Sequence, residues 1–129
     1  MLEEHLEKLS KDVLGSFSKE KKKNIFTFSF LENILHFEKI ENGFYINSTI
    51  SQIPDKKLEE FFIYVMKANF LGIGTGGNII GLNKDEKYLT LSYNFFYEIN
   101  YKEFKEFVED FINYLVYWRK EIEAFEKSA

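Results

Sequence analysis

The sequence predicts an α+β protein with a twisted antiparallel sheet flanked by helices, in the order αβββαββα. Apolar residues recur at helical spacing at the start, in the middle and at the end of the chain, and they alternate with polar residues in between. The predicted strands come in consecutive groups, which does not favour a parallel sheet with a cofactor crevice. The 129 residues fit one domain, residues 1–129.

The first helix is predicted over residues 2–14, with Gly15 as its C-cap. Its apolar residues follow helical spacing and are Leu2, Leu6, Leu9 and Val13. From Asn24 the period changes to two, which predicts two strands, and the dipeptide Asn42-Gly43 predicts a hairpin turn into a third. The first three strands therefore form a meander.

Asp55 is the predicted N-cap of the second helix, which carries an apolar stripe and ends at a cluster of glycines. Residues 78–82 and 88–94 then read as a second hairpin. The spacing of Asn100 and Glu103 is typical of a capping box and predicts the start of the last helix, which continues almost to the end of the chain.

Five of the seven glycines lie in residues 68–82, and four of them form a corner over residues 72–77. This glycine corner spells G-x-G-x-x-G, but a helix precedes it and a strand follows, which is the reverse of a dinucleotide-binding loop. One interpretation is a helix end with glycine in the left-handed region. The alternative is an anion nest in a small-ligand or enzymatic α+β domain.

The glycine segment also resembles a family signature. Asn69-Phe70-Leu71-Gly72-Ile73-Gly74-Thr75-Gly76-Gly77, followed by Ile79-Ile80-Gly81-Leu82-Asn83, is similar to that of the class I type III secretion chaperones of the Tir-chaperone type. The resemblance implies a small acidic homodimer of the bacterial cytoplasm. Such a protein binds the N-terminal segment of a secreted effector, keeps it non-globular and export-competent, and releases it at the secretion apparatus. Whether a related co-chaperone replaces one subunit of the dimer stays open.

The resemblance also implies which residues carry these functions, through strand addition and hydrophobic grooves near the first helix and first strands. The expected effector-binding residues are Leu6, Leu9, Val13, Ile25, Phe26, Phe28, Leu35 and Phe37. The expected dimer interface, on the second helix and the strand after it, is Phe61, Phe62, Val65, Asn69, Phe70, Leu71 and Ile79. Gly72, Gly74, Gly76 and Gly77 are expected to be structural, because they let the chain reverse tightly.

Charge and composition favour a protein partner. The formal net charge is −4, and every basic residue but Arg119 is lysine, which argues against nucleic acid. The basic run Lys19–Lys23 is expected to be a solvated connector. The aromatic content of 19% exceeds what a small core usually needs, so part of it could serve a partner.

The sequence offers little for catalysis or a cofactor. There is no cysteine, and neither His5 nor His36 has a second ligand at metal-binding spacing. The carboxylates lie on predicted helix faces exposed to solvent, not in pairs. No signal peptide or membrane span is evident. We therefore expect a soluble cytoplasmic protein that is not an enzyme and needs no cofactor, metal or membrane.

Overall fold

The structure is a computed structural model that describes residues 1–20, 24–72 and 74–128. Within these residues the elements are α1 (Leu2–Asp12), β1 (Ser16–Lys19), β2 (Ile25–Phe30), β3 (Asn33–Ile40), β4 (Gly43–Gln52), α2 (Leu58–Asn69), a 3-10 turn (Phe70–Gly72), β5 (Ile79–Leu82), β6 (Tyr88–Phe95) and α3 (Tyr101–Ser128). One sheet contains the six strands in the order β1-β2-β3-β4-β6-β5. The predicted α+β class and antiparallel sheet are confirmed.

The strand β1 is the main difference from the sequence prediction, which has five strands. Its residues are mostly polar and exposed, with only Phe17 half-buried, so no apolar alternation marks it. Pairing with β2 creates the strand, in an antiparallel register that sets Ser16 opposite Ser29 and Lys19 opposite Phe26. Lys19, expected to be in a connector, is thus in a strand. Lys21, Lys22 and Lys23 lie outside the described residues.

Two predicted helix caps are wrong. The α1 helix ends at Asp12, and the left-handed residue after it is Leu14, with φ 56°, instead of Gly15. Gly15 is needed for space, because a Cβ there would lie 2.8 Å from Ser29 O. The α2 helix begins only at Leu58, because Lys57 takes a left-handed turn with φ 55°, and Asp55 lies too early to cap it. The last predicted cap does form.

That cap is Asn100, at the start of α3. Its Oδ1 accepts a hydrogen bond from the Glu103 N–H at 2.9 Å. This bond satisfies one of the N–H groups that a helix N-terminus leaves without an internal partner.

The chain forms two compact units, the first of which contains Met1–Ser48 and Tyr93–Asp110. One face of its strands is buried and rich in phenylalanine, and Phe37, Phe44 and Phe104 have ring centroids 5.5–5.9 Å apart. The opposite face carries half-buried and exposed polar residues such as Thr27 and His36. This matches the predicted half-buried strands.

The second unit contains Thr49–Ser92 and the chain from Phe111 onward. Phe61 packs against Phe125 with ring centroids 5.0 Å apart, and Trp118 lies 5.5 Å from Tyr64. The Trp118 Nε1–H also donates to Gly74 O at 3.0 Å, which ties the last helix to the glycine corner. This unit therefore fixes the position of the corner.

Gly43 lies very close to the backbone of Phe95, the last residue of β6, and this contact gives a first prediction. A Cβ at Gly43 would lie 1.8 Å from the backbone oxygen of Phe95, which moves only if a strand moves. Gly43→Ala should therefore lower the free energy of unfolding by about 2 kcal/mol, measured by denaturant unfolding. The matched control is Gly81→Ala, where the nearest heavy atom would be 3.9 Å away and little change is expected. Equal effects of the two substitutions would contradict this packing.

Candidate functional site

The strand β1 lies at one edge of the sheet, and among the described residues no strand pairs with its outer side. Glu20 donates its N–H to Ile25 O, and the pairing directions alternate along an antiparallel ladder. Ser16 and Ser18 therefore turn their backbone groups toward β2, whereas Phe17 and Lys19 turn theirs outward. We call the N–H and C=O groups of these two residues the β1 edge. Such a row of unpaired groups is able to bind an added strand.

The α1 helix is fixed beside this edge. The Lys19 Nζ lies 3.2 Å from Glu3 Oε1 and 5.7 Å from the centre of the Phe26 ring. Phe17, opposite Phe28 in the ladder, is half-buried. A strand added at the β1 edge would thus meet an aromatic ring and an ion pair whose groups are about half exposed.

Polar contacts also fix α1 against the start of α3. The His5 Nε2 lies 2.8 Å from Ile99 O, and its ring lies 5.8 Å from that of Tyr101. The Tyr101 hydroxyl donates to Asp12, and Lys8 lies over the Tyr101 ring. Burial, reinforced by the hydrogen bond to Asp12, raises the pKa of Tyr101 to about 12. Tyr101 therefore remains a neutral donor beyond the alkaline pH at which an exposed tyrosine ionises.

The other edge strand, β5, is closed by a side chain. Asn69, the last residue of α2, donates from Nδ2 to Ile80 O at 2.8 Å and accepts from the Ile80 N–H at Oδ1 at 2.9 Å. Its carboxamide occupies the place that a neighbouring strand would take. The two edges of the sheet thus differ chemically: side-chain hydrogen bonds occupy the middle of β5, whereas β1 is unpaired among the described residues.

The glycine corner makes the Asn69 contact possible. Gly72, Gly76 and Gly77 have φ between 63° and 88°, which favours glycine. A Cβ at Gly76 would lie 2.3 Å from the Tyr114 ring, and one at Gly74 would lie 3.0 Å from Ala68 Cβ. Positive φ and close packing together reverse the chain within a few residues, which brings β5 beside the end of α2.

The corner uses its own N–H groups internally. Gly74 donates to Ala68 O, Thr75 and Gly77 donate to Gly72 O, and Asn78 donates to Thr75 O. An anion nest requires N–H groups that converge on a free site. The corner described here therefore does not favour the anion-binding alternative.

The structure divides the residues expected to bind an effector into two groups. Leu6, Leu9, Phe26, Phe28, Leu35 and Phe37 are buried in the core of the first unit. Val13 and Ile25 are half-buried. Only the latter two offer surface to a partner without rearrangement, and contact of the whole set with an effector stays a prediction.

The residues expected at a dimer interface are also divided. Phe61 and Val65 are buried, Phe62 and Asn69 are half-buried, and Phe70 and Ile79 are exposed. The side chain of Leu71 lies outside the described residues, as does Ile73 of the signature segment. The sequence places Met66 in the apolar stripe of the second helix but assigns neither Met66 nor Ile63 to the interface, and both are exposed at helical spacing before Phe70. These three residues form what we call the α2 outer stripe.

Among the described residues, no group of three or more His, Cys, Asp and Glu side chains is arranged to hold a metal ion. None of the helices in the described ranges combines the length and the apolar character that crossing a membrane requires.

Comparison with known proteins identifies the family. The model of the Tir chaperone protein (CesT) family matches residues 6–119. The chain belongs to this family. The resemblance to type III secretion chaperones predicted from the glycine segment is confirmed, and the family places the protein among chaperones that bind effectors. No curated protein sequence matches the chain.

A solved structure supports the fold of this Tir-chaperone family member. The chain matches one in the structure of the HopA1-SchA chaperone-effector complex, with a TM-score of 0.68 and 9% sequence identity. The match covers 92% of this chain and 93% of the other. At that identity the likeness shows the fold alone.

The closed β5 edge yields a second prediction. Asn69→Leu keeps the size of the side chain but leaves the Ile80 N–H and C=O unpaired, which should lower the free energy of unfolding by about 2 kcal/mol. Hydrogen exchange at the Ile80 amide should accelerate in parallel. The control is Asn113→Leu, an exposed asparagine of the same unit, which should change neither quantity. An unchanged Ile80 amide in Asn69→Leu would refute the role of Asn69.

Proposed function

We propose that this Tir-chaperone family member is a homodimeric, cytoplasmic chaperone that binds the N-terminal segment of a secreted effector. It keeps that segment extended and export-competent until the secretion apparatus takes it, and it acts by binding alone, without a catalytic step. Residues 1–129 form the single chaperone domain. The observation that carries this proposal is the unpaired β1 edge.

Strand addition at the β1 edge would explain how the segment stays non-globular. A peptide that is hydrogen-bonded as an extra strand is extended, and its backbone groups are satisfied by the chaperone instead of by its own helices or turns. The contrast with β5 supports the choice of edge, because Asn69 already occupies the Ile80 groups. The half-buried residues Val13, Phe17 and Ile25 add apolar surface close to this edge.

The α2 outer stripe supports the dimer. Ile63, Met66 and Phe70 lie on one side of the helix and its end, and Met66 is 69% exposed. Isolated apolar side chains on a surface are ordinary, but a helical stripe of three is typical of a protein contact. A second copy of the chain is the partner that the charges favour.

Those charges are arranged for self-association. The first turn of α2 carries Glu59 and Glu60, and its last turn carries Lys67. A two-fold axis perpendicular to the α2 helix relates two copies of that helix so that they run antiparallel. If the helices cross at Ile63, Glu59 of one copy faces Lys67 of the other, so that apolar contact and opposite charges coincide.

The third prediction concerns effector binding. Overlapping peptides that tile the N-terminal regions of the type III secreted proteins of the source bacterium should include at least one binder. Its binding should slow hydrogen exchange at the Phe17 and Lys19 amides. Lys19→Pro removes an outward N–H that the free protein does not use, so it should weaken binding about tenfold or more while the fold is kept.

The matched control for this variant is Lys19→Ala, which removes the same charge and keeps the N–H. It should bind nearly as well as the wild type. Absence of any binding peptide would overturn the proposed function, and equal binding by the proline and alanine variants would overturn strand addition at β1.

The fourth prediction concerns the dimer. The wild type should have the mass of a dimer in light scattering, and Met66→Glu should give a folded monomer, because it places a charge in the apolar stripe and, with the helices crossing at Ile63, opposite Glu60 of the other copy. Phe96→Glu is the control, since Phe96 is 72% exposed on the other unit and its substitution should leave the dimer intact. A wild-type monomer, or a dimer that survives Met66→Glu, would exclude this interface.

A further inference from the structure

Two leucines are the most exposed large apolar side chains among the described residues. Leu14 is 92% exposed and Leu31 is 85% exposed. Neither belongs to the core of the first unit, and neither is among the residues that the family resemblance implicates. We call them the leucine pair.

The leucine pair lies at one end of the β1–β2 ladder. The register sets Ser16 opposite Ser29, and Leu14 and Leu31 each lie two residues beyond this last pair. Leu31 begins the tight turn that joins β2 to β3, and Leu14 joins α1 to β1. Leu14 therefore lies at the end of β1 itself, where an added strand would continue, and Leu31 lies at the same end of the ladder, one strand further from the β1 edge.

Both leucines also have an unfavourable backbone. Their φ angles are 56° and 54°, in the left-handed region where glycine and asparagine are far better suited than a bulky side chain. In the free chain neither side chain gains burial to offset this strain. An apolar residue at a strained, exposed position suggests a contact that forms only in a complex.

We propose that the leucine pair anchors the extended partner segment that adds to the β1 edge. The proposal rests on the proposed function and adds to it the chemistry of the segment. Leu14 is three residues from Phe17, about 10 Å along an extended chain. The segment therefore carries a large apolar side chain about three residues beyond the one that pairs with Phe17.

The position of the leucine pair favours one kind of partner, an extended peptide segment. A strand paired with Phe17 and Lys19 continues directly toward Leu14, with Leu31 at the same end of the ladder, so a single extended segment could use both the hydrogen-bonding edge and this apolar end. A second copy of the chain would offer its own β1, and if Phe17 of the two copies paired in an antiparallel ladder, the polar residue Glu20 would lie opposite Leu14. The apolar requirement therefore favours a partner segment over self-pairing.

The test uses Leu14→Asn and Leu31→Asn in the full chain, with the effector peptide that binds the wild type. Asparagine suits the left-handed backbone, so the variants should be as stable as the wild type or more stable in thermal unfolding. Binding of the peptide should weaken about tenfold for each variant, because a leucine contact is lost. Lys57→Asn is the control, with the same left-handed backbone on the other unit, and should bind normally.

A peptide series then tests the partner side. Alanine is placed in turn at each apolar position of the binding peptide, and one position should lose affinity with wild-type protein but not with Leu14→Asn and Leu31→Asn. The peptide position whose alanine substitution and the leucine variants have non-additive effects on affinity would identify the residue that contacts the leucine pair. If the variants lose stability, the leucines are structural and the inference is wrong.

The outcomes separate the two proposals. If a peptide protects the β1 edge and both leucine variants bind it as tightly as the wild type, the proposed function stands and the anchor is refuted. If two molecules of the chain pair through β1 instead, the dimer mass will fall in Lys19→Pro, and the anchor is again refuted. If no peptide binds the wild type, both proposals are wrong.

Discussion

The pair of hydrogen bonds between the Asn69 carboxamide and the Ile80 backbone is the interaction on which the arrangement of the sheet edges depends. It fastens β5 to the end of α2, and it requires the tight chain reversal that the glycine corner provides. It also occupies backbone groups that would otherwise bind another strand. Because one edge of the sheet is closed in this way, β1 is the edge left for a partner.

The structural role of the glycine corner depends on the elements that precede and follow it. Its spacing equals that of a phosphate loop, yet its N–H groups bond within the corner and Trp118 bonds to it from the last helix. A phosphate loop needs free N–H groups at a helix N-terminus, whereas this corner follows a helix C-terminus. The same glycines thus serve a chain reversal, which is consistent with membership of the Tir chaperone family.

The phenylalanines of the first strands differ in burial from the apolar residues of the α2 outer stripe and the leucine pair. The phenylalanines of β2 and β3 fill the core of the first unit, so the aromatic content of the sequence is mostly structural there. Exposed apolar residues include those of the α2 outer stripe and the leucine pair, besides others such as Ile34, Phe96 and Tyr97. The α2 outer stripe and the leucine pair differ, because opposite charges suited to a second copy flank the stripe, whereas the leucine pair lies at one end of the β1–β2 ladder.

The sequence by itself determined the fold class, most helix and strand positions and the cap at Asn100, because these depend on local periodicity and on short-range hydrogen bonds. The family followed from a short glycine-rich segment. Only the tertiary structure decided that β1 is a strand, that Asn69 closes β5 and that Met66 is exposed while Val65 is buried. Each of these features depends on contacts with residues that are distant in the sequence, and periodicity within a single segment does not specify those contacts.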